Sequence, residues 1–126
     1  MARILLVEDD DQLRTMLKLL LTSFGHEVWE ASNGRRVCDM QQQQRFDLVI
    51  TDLVMPDKEG LEVIMELRRS DQNVRIIAMS GMGQGRAEEY LRIAQKLSAQ
   101  LTLSKPFGEQ EFLEAVCVAL GNLSTQ

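Results

Sequence analysis

Short apolar runs alternate along the chain with stretches whose apolar residues recur every three or four positions. "RILLVE", residues 3–8, is apolar between charged ends, the pattern of a strand buried on both faces. "QLRTMLKLLLTSF", residues 12–24, instead sets Leu13, Met16, Leu17, Leu20 and Leu21 on one side of a helix. Gly25 supplies the stop expected just past that helix, "EVWEA" resumes extended structure, and Asn33-Gly34 marks a turn. A weaker helical pattern covers residues 35–44. The alternation then continues with a strand over 48–51, a helix over 58–70, a strand over 74–80 and a helix over 86–97. It closes with a strand over 101–104 and a helix over 109–120, where Phe112, Leu113, Val116 and Leu120 share a face and Gly121 ends the pattern. Repeated strand–helix units with fully apolar strands predict an α/β domain: a doubly wound, five-stranded parallel sheet with helices on both faces.

A chain of 126 residues is one domain's worth, long enough to bury roughly two-thirds of its unfolded surface. The boundaries expected are residues 1–122 for the domain and 123–126 for a short tail. The run Gln41 to Gln44 reads as a solvated helix end. Fourteen Lys and Arg against 19 Asp and Glu leave a net charge of -5, which argues against direct contact with nucleic acid or an anionic membrane. No apolar run reaches the length of a membrane span, and "MARILLVEDD" ends in acids rather than in a cleavage site, so the cytoplasm is the expected location. Cys38 and Cys117 lack metal-ligand spacing and sit among apolar neighbours, which predicts two reduced core residues.

In an open parallel sheet, ligands bind outside the carboxyl ends of the strands. Those ends carry the chain's chemistry: Glu8 and Asp9, then Asp52, Ser80, and Ser104-Lys105-Pro106. Asp10 and Asp11 read as caps of the following helix, where carboxylates satisfy open N–H groups. For Glu8 and Asp9 that reading is weaker, and with Asp52 nearby three carboxylates in one place repel unless a hard cation such as Mg²⁺ holds them. His26, just after Gly25, reads as an exposed turn residue. Residues 81–85, "GMGQG", read as a loop, because Arg86 stands where a dinucleotide fingerprint needs its third glycine.

The pieces "ILLVEDD", "DLVITDLVMPDKEG", "IIAMSG" and "LSKPF" occur in order over nearly the whole chain, which resembles the receiver domain of two-component response regulators. The resemblance implies the (βα)5 flavodoxin-like receiver fold. It implies that Asp52 takes a phosphoryl group from the phosphohistidine of a sensor histidine kinase or a histidine phosphotransfer protein. Glu8, Asp9, Asp52 and the backbone carbonyl of Val54 would hold Mg²⁺. Ser80 would bind a phosphoryl oxygen, Lys105 would pair with it, and a cis bond before Pro106 would direct Lys105 into the site. Such a domain is a signalling phosphoacceptor with intrinsic phosphotransfer and self-dephosphorylation chemistry, not an enzyme in the usual sense. Val54 and Met82 stand where flanking side chains orient the hydrolytic water, and neither offers a hydrogen bond, so slow loss of phosphate is expected.

One departure stands out: Thr102 occupies the position of the family's aromatic switch residue. Because the chain ends soon after its last helix, output is expected through contact with a downstream protein target. Two rival chemistries fit poorly. An aspartyl-phosphate phosphatase of the haloacid-dehalogenase type needs an acid at the position of Val54, and an FMN carrier needs a hydroxyl-rich loop where "EDDDQ" would repel phosphate. A receiver-like adaptor that acts without phosphorylation is the stronger alternative, although such proteins typically lose an acid or the lysine, and none is lost here.

Overall fold

A computed structural model describes residues 2–53, 60–81, 92 and 101–121. Five strands, β1 (Arg3–Val7), β2 (Glu27–Ala31), β3 (Leu48–Asp52), β4 (Arg75–Ser80) and β5 (Leu101–Ser104), form one sheet in the order β2-β1-β3-β4-β5. Every pairing is parallel. The chain therefore winds outward from β1 in both directions, and the gap between the ends of β1 and β3 is the switch point of a flavodoxin-like sheet.

Four described helices cover the faces: α1 (Asp11–Ser23), α2 (Val37–Gln44), α3 (Gly60–Ser70) and α4 (Glu109–Leu120). Successive strand side chains point to opposite faces, so each central strand feeds two cores. Ile4, Leu6, Leu48, Ile50, Ile77 and Met79 pack with Leu17 and Leu21 of α1 and with Phe112 and Val116 of α4. Leu5, Val7, Val49, Ile76 and Ala78 pack with Val37 of α2 and with Val63, Ile64 and Leu67 of α3. The uninterrupted apolar runs seen in the sequence are thus the signature of strands covered on both sides.

Local chemistry sets the ends of the helices. Asp10 caps α1, its carboxylate accepting from the N–H groups of Gln12 and Leu13 at 3.0 and 3.1 Å. α1 ends at Phe24, and Gly25 follows at φ 89, a conformation that costs an L side chain energy. α2 starts at Val37 rather than at 35, because the Asn33 side chain accepts the Arg35 N–H at 2.9 Å and holds those residues in a turn. Arg45, at φ 57, ends it. The start expected for α3 at 58 and most of the helix expected over 86–97 lie outside the described residues, as does the 123–126 tail.

Three expectations are corrected. Gln41, expected in a solvated helix end, is buried, with its Oε1 accepting the Phe46 N–H at 3.0 Å and its Nε2 donating to Asp71 Oδ2 at 3.1 Å. Cys117 is exposed rather than in the core: Phe112, Val116, Ala119 and Leu120 form the buried face of α4, and one residue past Val116 the helix has turned by about 100°. Cys38 is half-buried, with its thiol 3.6 Å from Glu66 Oε1. His26 is half-buried rather than exposed, and its Nδ1 accepts the N–H of Ala2 at 3.1 Å. Among the described residues, no helix is long and apolar enough to cross a membrane.

Candidate functional site

The acids sit where parallel strands stop. β1 ends at Val7, and Glu8 continues one residue further, its N–H donating to the carbonyl of Ala31 at 3.0 Å before the chain turns into α1. That places the Glu8 side chain under the turn, buried, while Asp9 is exposed. On the other side of the switch point β3 runs on through Asp52, opposite Met79, and the N–H of Leu53 donates to the Met79 carbonyl at 2.8 Å. Asp52 is only 4% exposed. One carboxylate oxygen from each of Glu8, Asp9 and Asp52 lies within 4.8 Å of the others.

Lys105 enters this cluster from the end of β5. Its N–H donates to the Ser80 carbonyl at 2.8 Å, and the Lys105–Pro106 bond that follows is cis. The ammonium donates to Glu8 Oε1 at 2.7 Å and to Asp52 Oδ2 at 2.8 Å. Burial works against the charge on Lys105, but the hydrogen bonds to Asp52 and Glu8 outweigh it and hold its pKa above the ordinary lysine value. The Glu8 carboxyl is likewise pushed up, to about 7, first by burial, against the lowering effect of the Lys105 hydrogen bond, and further by the charge on Asp52. A buried acid that resists ionisation beside a second acid is a place short of positive charge.

Residues 4–117 match the family model of the response regulator receiver domain. The chain belongs to the response regulator receiver family. It is similar to chemotaxis protein CheY of Thermotoga maritima, with 36% identity over 115 residues covering 90% of this chain and 93% of that protein. Sporulation initiation phosphotransferase F of Bacillus subtilis is 29% identical over 114 residues, 90% of each chain. Among solved structures, a response regulator receiver domain protein of Clostridium thermocellum superposes with a TM-score of 0.88 at 26% identity, over 99% of this chain and 98% of that one. Membership places the chain in two-component signalling, as a phosphoacceptor signalling domain that works with histidine kinases and downstream targets.

Receiver domains bind Mg²⁺ at an acidic pocket, and this receiver's donors fit such an ion. All three are carboxylate oxygens, the hard ligands that Mg²⁺ prefers. Neighbouring ligands of an octahedral Mg²⁺ stand about 3 Å apart and opposite ones about 4.2 Å, so an ion would draw together three oxygens that already lie within 4.8 Å of one another. The fourth expected ligand, the carbonyl of Val54, lies outside the described residues, as does Met82. Ser80 ends β4 opposite Ser104, buried, with its hydroxyl 3.5 Å from the Gly81 carbonyl. Thr102 is half-buried on β5, opposite Ala78.

Two residues that serve the site were not singled out from the sequence. Gly60 opens α3 directly against the acid-bearing strand: its N–H donates to the Leu53 carbonyl at 3.0 Å, and a Cβ there would overlap the Asp52 carbonyl oxygen and stand 2.7 Å from Leu53 Cα. The signal was a glycine at the start of a helical pattern, where a glycine normally marks an end. Arg14, on α1, reaches back to the carbonyl of Glu8 at 2.7 Å.

Proposed function

We propose that this receiver accepts a phosphoryl group on Asp52, from the phosphohistidine of a sensor histidine kinase or a histidine phosphotransfer protein, in a Mg²⁺-dependent reaction. The observation that carries the reading is a buried carboxylate at the end of β3 whose neighbours among the described residues include two further acids and the Lys105 ammonium, at the sheet's switch point. A carboxylate is a weak nucleophile toward a phosphoryl group that itself carries negative charge, so the site must supply positive charge and alignment rather than a base. An Asp52 oxygen forms the new O–P bond as the P–N bond to the donor imidazole breaks, and the electron pair leaves with the imidazole. Lys105 already donates to Asp52 and passes to a phosphoryl oxygen as that oxygen arrives. Ser80 donates its hydroxyl to another phosphoryl oxygen.

Glu8, Asp9, Asp52 and the Val54 carbonyl would hold Mg²⁺, which when bound supplies the charge that screens the incoming phosphoryl oxygens. The same site returns to its starting state by hydrolysis of the aspartyl phosphate. Output passes to a downstream protein, and with Thr102 on β5 it does so without an aromatic residue at that position.

Incubation with a small phosphodonor such as acetyl phosphate and Mg²⁺, followed by intact-mass measurement, tests this. The expected product carries one phosphoryl group, is absent for Asp52→Asn and is absent in excess chelator. Label that persists in Asp52→Asn would remove Asp52 from the reaction, and label that persists in chelator would remove the metal.

A further inference from the structure

The turn that carries Glu8 and Asp9 is tied down by one side chain from α1. Arg14 directs each of its three guanidinium nitrogens to a different acceptor: Nη1 to the Glu8 carbonyl at 2.7 Å, Nη2 to Asp11 Oδ1 at 2.7 Å and Nε to Glu30 Oε1 at 3.2 Å. Lys18 holds the other oxygen of Glu30 at 2.9 Å, so the anchor on β2 is itself fixed. The Arg14 side chain is 16% exposed although Asp11 is 83% exposed, so the guanidinium lies under the turn rather than over it. Its backbone N–H completes the first turn of α1 by donating to the Asp10 carbonyl at 2.9 Å.

The Glu8 carbonyl belongs to the peptide unit that leads into Asp9, and planarity of that unit means that holding its oxygen also fixes where Asp9 leaves the chain. The other constraints on the turn act elsewhere: the Glu8 N–H goes to Ala31, and Glu8 Oε2 accepts the Asp10 N–H at 3.1 Å. Without Arg14, repulsion among Glu8, Asp9 and Asp52 relaxes most readily by swinging the exposed Asp9 outward. We propose that Arg14 is a positioning residue that holds Asp9 and Glu8 together in register for a divalent cation. This rests on the reading of Glu8, Asp9 and Asp52 as the metal site.

Positioning and simple electrostatics predict opposite signs here. Arg14 is a positive charge beside a cation site, so removing it should tighten Mg²⁺ if charge were its only influence. A positioning role demands weaker binding instead. It also demands that Lys fail to substitute, since an ammonium keeps the charge but cannot present the planar fork to three acceptors.

The test is calorimetric titration of wild type, Arg14→Ala and Arg14→Lys with MgCl₂, well below each protein's thermal midpoint, with Asp9→Asn as the variant that damages the site directly. Both Arg14 variants should bind Mg²⁺ about ten-fold more weakly than wild type, the loss typical of removing a group that orients metal ligands, while the Mg²⁺-free midpoint changes little. Equal binding in all three, or tighter binding by Arg14→Ala with Arg14→Lys unchanged, overturns the positioning role and leaves the metal site intact. A wild type that binds no Mg²⁺ overturns the metal site itself and the proposal with it. An Arg14→Lys protein that does not fold makes Arg14 structural and also overturns the proposal.

Discussion

Lys105 stands in the resting protein where positive charge is most needed, between two carboxylates that are nearly closed to solvent. Truncating it removes the ammonium that both Glu8 and Asp52 accept from, and we expect Lys105→Ala to lose roughly 1–3 kcal/mol in the Mg²⁺-free state while remaining folded. Saturating Mg²⁺ should return most of that loss, which urea unfolding with and without the ion will show. A loss of equal size in both conditions would mean that the lysine stem matters and its charge does not. His26 gives a second prediction at this scale. Burial, and after it the nearby amino terminus, lower its pKa from the ordinary 6.5, so the folded protein takes up the proton less readily than the unfolded chain. This contribution to stability is whole above the unfolded value and is lost as pH falls from about 6.5 toward the folded value. His26→Gln should remove that slope, measured as the wild-type minus variant difference in urea midpoint across the window. Individual residues were legible in the sequence to the extent that their chemistry is local to a strand end. Asp52 and Lys105 announced themselves as polar residues closing apolar runs, whereas the burial of His26 depends on Ala2, a partner 24 positions away, and left no mark near it in the chain.

At the level of elements, the contact between α3 and the end of β3 decides where Asp52 points. No helix of this size can approach a strand so closely with a side chain at the point of crossing, and Gly60 is that point. Gly60→Ala should destabilise the domain by about 1–3 kcal/mol through overpacking and slow phosphorylation of Asp52, since the clash falls on that residue's own carbonyl. Gly108→Ala is the matched control: Gly108 is the extended N-cap residue of α4 with nothing within 4 Å of where a Cβ would sit, so the change should cost no more than about 1 kcal/mol, the loss of a favoured cap residue, and leave phosphorylation unchanged. Equal effects of the two substitutions would show that close approach at Gly60 is not what matters. Strands and helix faces were readable because burial imposes its period directly, as in Leu17 and Leu21 of α1 or Phe112 and Val116 of α4. Their ends were read less well. The start of α2 turns on one Asn33 side chain that competes with the helix for a backbone N–H, and the apolar period carries no trace of that competition.

Across the whole molecule, the order β2-β1-β3-β4-β5 was the feature least available from hydrophobic pattern, because pairing joins residues far apart in sequence; resemblance supplied the flavodoxin-like class, and the order itself is seen in the structure. Its consequence is that two cores share the same strands: Ile4 and Leu6 face one, Leu5 and Val7 the other. Neither core can open without exposing the back of the other, so the domain should unfold as a unit. Phe112→Ala, on the α4 side, and Ile64→Ala, on the α3 side, should cost about 3–5 and 2–5 kcal/mol respectively. Each should lower the urea midpoint with the slope of the transition unchanged. A second transition, or a slope altered in only one variant, would show that the two faces melt separately. The uniform direction of the strands has a practical side as well. All the site's side chains leave the sheet at one edge, and the turns at Gly25 and Arg45 lie at the other, a five-residue strand or roughly 16 Å away. A dye or surface tether attached at either turn would leave the acidic edge open to solution, so the protein can be immobilised for binding measurements without hiding the face it uses.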